Sequence, residues 1–173
     1  GTFFNQGLIE AGALGDLGSG NLNFFGGGLR WATGATFDIS DRTVTVGPGG
    51  AVFDTNGNSI TFASAIGNSG TGGLTKNGVG TLTLAGANTF TGASTINAGR
   101  LQLDGGDNRL ASAAGMTLTG TASLQLGGTA KADQTVTELT GAAGNSIVGG
   151  NAAVSTLLVN QNSATSYLGL IGG

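Results

Sequence analysis

Asp104 and Asp107 stand close together in the segment LDGGDN (103–108), with Arg100 and Arg109 on either side. Two carboxyls with a basic neighbour are what cleavage or elimination of a polysaccharide requires. One acid donates a proton, the other activates water or withdraws a proton, and a cation offsets the charge that builds up. A second acidic group, Asp38, Asp41 and Asp54, precedes it, and Asp54-Thr55-Asn56 offers oxygen ligands of the kind that Ca²⁺ takes. Both groups have a simpler role. Asp and Asn beside Gly close Asx turns at chain corners, and this is the role expected for Asp104 and Asp107. The Ca²⁺-binding nonapeptide pattern G-G-x-G-x-D breaks at its fourth position in 49–54, where Val52 stands.

The remaining chemistry is excluded by residue type. The chain has no His and no Cys, which removes Ser-His-Asp and Cys-His nucleophile systems, disulfides and thiolate metal sites. No G-x-S-x-G elbow occurs. No Gly-rich run leads into Gly-Lys-Ser/Thr, so there is no Walker-type phosphate loop. Arg30, Arg42, Lys76, Arg100, Arg109 and Lys131 are scattered and the net charge is −3, which argues against a nucleic-acid partner. The expectation is a chain that is not an enzyme, with no catalytic, cofactor-binding or metal residues. Phe24, Phe25, Trp31, Phe37, Phe53 and Phe62 gather in the first half. Exposed rings stack on sugars, but core packing is the expected role. Asn58, Asn77, Asn88, Asn97 and Asn108 are expected in stacked ladders at corners or inside.

The elements that carry these residues are short strands. Leu82 and Leu84 alternate with Thr81 and Thr83, and Leu101 and Leu103 flank Gln102, which is the period of a strand with one buried face. Asn77-Gly78, Gly86, Asn88, Gly92, Asn97 and Gly99 supply turns between them. Gly makes up 36 of 173 residues without a three-residue period, and Pro48 is the sole Pro, so the chain is not collagen. At 39% hydrophobic and 9% charged it is not disordered either. No run approaches the ~18 apolar residues of a membrane-crossing helix. One apolar position recurs as Phe24, Val44, Phe62, Leu82, Leu101, Leu118, Val136 and Leu157. A step of about 19 residues predicts one coil of a β-solenoid, with three strands and three turns. The predicted architecture is all-β, about nine coils stacked into a rod of about 40 Å, with no substantial α-helix. Residues 1–173 form a single segment, 67–73 being a loop rather than a linker, and 111–115 are expected to make one helical turn. The abrupt ends suggest stacking on neighbouring coils of a longer chain, or on other copies end to end.

Residues 73–103, GLTKNGVGTLTLAGANTFTGASTINAGRLQL, carry a specific resemblance. They closely resemble the passenger-associated transport repeat of bacterial autotransporters, whose pattern is roughly G-L-x-K-x-G-x-G-T-L-x-L-x-G-x-N-T-[YF]-x-G-x-T-x-[VI]-x-x-G-x-L. The matching residues are Gly73, Leu74, Lys76, Gly78, Gly80, Thr81, Leu82, Leu84, Gly86, Asn88, Thr89, Phe90, Gly92, Ile96, Gly99 and Leu101. The chain departs at Phe90, where Tyr is commoner, and at Ala93-Ser94, where Gly-Thr is common. The resemblance implies a right-handed parallel β-helix, exported from a Gram-negative cell and displayed or released at its surface, with the repeat assisting outward transport. It also implies an interior piece of a longer passenger, anchored by an outer-membrane barrel that this chain lacks. The function it implies is a non-enzymatic, rod-like scaffold. The alternatives are a self-assembling extracellular fibre or a glycan- or host-binding adhesin, and last a polysaccharide-active enzyme.

Overall fold

The structure is a computed structural model that describes residues 1–68, 70–111, 114–150 and 153–172. A three- or four-residue run such as Thr81–Leu84 has an apolar face to bury and unpaired backbone groups on both edges. Stacking similar runs one coil apart satisfies both needs. The chain does this with parallel pairing throughout its named strands. One sheet holds seven strands: Leu8–Ala11, Gly28–Trp31, Ala51–Asp54, Leu74–Asn77, Ser94–Ile96, Met116–Leu118 and Leu139–Gly141. A second holds six: Ser59–Phe62, Thr81–Leu84, Arg100–Leu103, Ser123–Leu126, Ser146–Gly149 and Leu170–Gly172.

The third side is discontinuous. Thr2–Phe4, Leu22–Phe24 and Val44–Val46 form a three-stranded sheet, and Gln134–Val136 pairs with Leu157–Val159 farther along. Between them, side-chain amides replace strand pairing. Buried Asn88 accepts from the Ile66 N–H at 2.9 Å and donates to the Arg109 carbonyl at 2.7 Å. Buried Gln134 accepts from the Leu110 N–H at 3.1 Å and donates back to the Leu110 carbonyl at 3.2 Å. An amide carries the same donor and acceptor as a peptide group, so it can cap the backbone of the next coil. Among the described residues there is no α-helix; one 3-10 turn spans Leu14–Leu17. The helical turn expected at 111–115 includes residues outside the described ones.

The solenoid class is as expected, but the coil count is not. Seven coils stack along the longest sheet, which gives a rod of about 30 Å. The register advances by 19 residues only between Leu82 and Leu101; Ile60 to Leu82 takes 22 and Ile147 to Ile171 takes 24. A constant step of about 19 falls short of most coils, so the apolar series slides from side to side. Val44 belongs to the third side, Phe62, Leu82 and Leu101 to the six-stranded sheet, Leu118 to the seven-stranded one, and Val136 to the third side again. Within that series Leu82 and Leu101 are true neighbours one coil apart.

The interior is one continuous hydrophobic column. Phe24, Trp31, Phe53 and Phe62 are buried and meet mainly edge to face, with ring centroids 5.1 Å apart for Phe24–Phe53 and 5.3 Å for Phe53–Phe62. Edge-to-face geometry sets the positive ring edge against the negative face. The Trp31 indole donates to the Phe37 carbonyl at 3.0 Å, so the one polar atom of that ring is satisfied.

Candidate functional site

Among the described residues Lys76 is the one basic side chain that is fully buried. The strand Leu74–Asn77 alternates in, out, in, out from Leu74, and that phase sends Lys76 inward. Its pairing partners are Phe53 in the coil before and Ile96 in the coil after, and all three residues are fully buried. The ammonium donates to three backbone carbonyls: Asn77 at 2.8 Å, Gly78 at 2.6 Å and Ala98 at 3.2 Å. The first two lie at the strand end and in the turn of its own coil, and the third in the turn of the next. Burial lowers its pKa from the ordinary lysine range to about 8, with the charge of Asp54 opposing that shift. The signal in the sequence was the phase of the alternation, and it outweighs the polarity of the residue.

Asp104 is also largely buried, and its carboxylate is engaged by backbone. It accepts the N–H groups of Gly105 (2.8 Å), Thr129 (3.0 and 3.1 Å) and Ala130 (3.1 Å), and the Thr129 hydroxyl at 3.0 Å. Desolvation alone would raise its pKa, but these hydrogen bonds to the charged form outweigh it and hold the value below 3.8. This carboxylate pins the corner at 129–130 of the following coil. Asp107 does a similar job elsewhere, accepting the Asp133 N–H at 2.9 Å. Arg109 donates to the carbonyls of Ala85 and Asp107, and Arg100 to the Gln125 side chain at 2.7 Å. Each of the four side chains therefore holds a different piece of backbone or side chain, and no shared bond joins the two carboxylates.

Replacing Asp104 with Ala should cost about 2 kcal/mol, the penalty for leaving buried N–H groups without an acceptor. Chemical denaturation at pH 7 measures it. The sign with pH follows from the lowered pKa. The Asp104 contribution is complete above 3.8 and is lost as the pH falls through the lower folded-state value. The Asp104→Ala protein should lose less stability on acidification than the parent.

Asp38 accepts from the N–H groups of Ser40 at 2.7 Å and Ala63 at 2.8 Å. Asp54 accepts from the Asn56 N–H at 2.9 Å and lies 4.0 Å from Arg30. Among the described residues no three acidic side chains gather as a metal site would need. All five asparagines bond between coils. Asn97 donates to Asn77 at 2.8 Å and accepts from Thr119 at 2.9 Å, forming an outward ladder, while Asn58 and Asn108 tie corners. Of the aromatic residues, Phe25 alone of the expected six is exposed, stacked on exposed Phe3.

The comparisons with known proteins agree on one region and one kind of protein. The model of the passenger-associated transport repeat matches residues 74–103. The whole chain is 37% identical over 178 residues to the adhesin BmaC autotransporter of Brucella suis biovar 1 (strain 1330), and it spans 5% of the length of that relative. No solved structure is a significant match. Lys76, its carbonyl partners Asn77, Gly78 and Ala98, and the stacked pair Leu82 and Leu101 all fall inside the matched repeat.

Proposed function

Because residues 74–103 are a passenger-associated transport repeat, in a chain that resembles an autotransporter adhesin along its full length, we propose that this is a non-enzymatic structural segment of an exported passenger. It acts as a stiff spacer at the cell surface, and its repeat assists outward movement through a barrel supplied by the parent protein. The observation that carries this reading is the parallel register across the repeat, Thr81–Leu84 on Arg100–Leu103, residue for residue. Each coil that emerges finds a complete template in the one already folded outside, and stacking opposes its return. The test fuses the chain upstream of an outer-membrane barrel and measures surface display by protease accessibility. Replacing 74–103 with a Gly/Ser segment of equal length should lower display and leave protein in the periplasm. Equal display would overturn the export role.

A second reading, binding of a glycan or host surface, draws on the outward side of the seven-stranded sheet. Thr75, Thr95, Thr117 and Thr140 stack in register there, beside the Asn77–Asn97–Thr119 ladder. Such a column presents hydroxyls and amides at a strand spacing of about 4.8 Å. A glycan array distinguishes the two roles: binding abolished by Thr95→Val and Thr117→Val together would favour adhesion. Turnover of a polysaccharide that is lost in Asp104→Ala would replace both with an enzymatic role.

A further inference from the structure

Among the described residues no carboxylate is in hydrogen-bonding contact with the buried cation Lys76. Its three acceptors are neutral carbonyls, its neighbours along the interior column are Phe53 and Ile96, and the charged group that reaches it is Asp54, on the strand Ala51–Asp54. Asp54 occupies an outward position of that strand and sits beside Arg30. The strand on the other side, Ser94–Ile96, contributes no titratable residue. A neutral amine keeps two donors for the three carbonyls and leaves one unmatched, but the cost of a buried charge that it sheds is the larger effect.

We propose that Lys76 is a proton-controlled latch between two successive coils of the transport repeat, loosened when it is charged and tightened when it is neutral. The donor and all three acceptors lie within the repeat, and the Ala98 bond spans the boundary between its two coils. The repeat is thereby a pair of stacked coils joined through the interior by one ionisable side chain. This latch is independent of whether the repeat assists export, because it is a property of the folded chain alone.

The geometry agrees with the lowered pKa of about 8. The sign is that of a base whose folded pKa is depressed. The unfolded state binds the extra proton between about 8 and 10.5, so stability rises with pH through that window and is lower by the full amount below 8. Urea unfolding of the chain at pH 7.0 and 9.5 reads the effect. The unfolding constant should fall by about 25-fold. Amide exchange of Asn97 and Arg100, whose N–H groups bond the carbonyls of Lys76 and Gly80 across the same boundary, should slow beyond the intrinsic rise with pH. Lys76→Met should be flat over this range. A flat parent, or a Lys76→Met protein that keeps the rise, overturns the latch. If Lys76→Met does not fold, ¹³C NMR of the lysine side chains in the parent decides instead. A Lys76 titration midpoint near 8 supports the latch, and one at 10 or above refutes it.

Discussion

Leu82→Asp should cost about 4 kcal/mol or more and abolish the cooperative melt of the parent under ordinary conditions. Leu82 is fully buried and sits in register between Ile60 below and Leu101 above. The substitution removes a packed side chain and places a carboxylate where its pairing partners are aliphatic. In a stack each coil depends on its neighbours, so the damage reaches the coils on both sides. Thermal unfolding followed by circular dichroism measures it. A melting temperature equal to that of the parent would show that Leu82 does not face the interior.

Gly73→Ala should be nearly as severe, at about 3 kcal/mol, for a different reason. A Cβ at Gly73 would stand 1.9 Å from the Ala93 carbonyl oxygen in the next coil, and its other near neighbours are also Ala93 backbone. No side chain is there to move aside, so the coils would have to part. The same corner repeats this closeness: a Cβ at Gly72 would lie 1.8 Å from the Gly47 oxygen, and one at Gly92 would lie 2.4 Å from Gly72. Gly57→Ala is the control. Gly57 has a φ of +86° but open space around its Cβ position, so it should lose only the conformational preference of glycine, about 1 kcal/mol. Urea unfolding of the two variants separates crowding between coils from backbone strain. Equal losses would show that the corner is not closely packed.

The fold class was legible because the alternation around Leu82 and Leu101 is strict and the corners between runs are marked by Gly and Asn. The coil length was not legible, because corner lengths differ. The connection at 32–43 is long and the corner around Asn97-Ala98-Gly99 is short, and an even period fitted through both drifts off the true register. The middle of the third side was hidden for another reason. Asn88 and Gln134 bridge coils there with side-chain amides, and no period-two pattern marks such a link. The Gly and Asn neighbours of Asp104 point to an Asx turn within its own corner, but apart from the Gly105 N–H its carboxylate bonds 129–130, a whole coil away in sequence, which no local pattern marks. Lys76 is one of six scattered basic residues, and residue type alone does not mark it as buried. Leu74-Thr75-Lys76-Asn77 read by position alone sends it inward.

The stacking of unequal coils underlies the spacer, the template for export and the latch, and the absence of Cys makes it directly measurable. Thr61 and Thr83 are outward neighbours in register, 22 residues apart. Adjacent strands bring such positions to about 4.8 Å, within reach of a disulfide. A protein carrying Thr61→Cys and Thr83→Cys should crosslink fully under mild oxidation. One carrying Ser64→Cys and Thr83→Cys, the offset of a uniform 19-residue coil, should stay reduced, because Ser64 lies past the end of the strand Ser59–Phe62, against Gly86, while Thr83 faces Thr61. Crosslinking of the second pair and not the first would contradict the register on which the account stands.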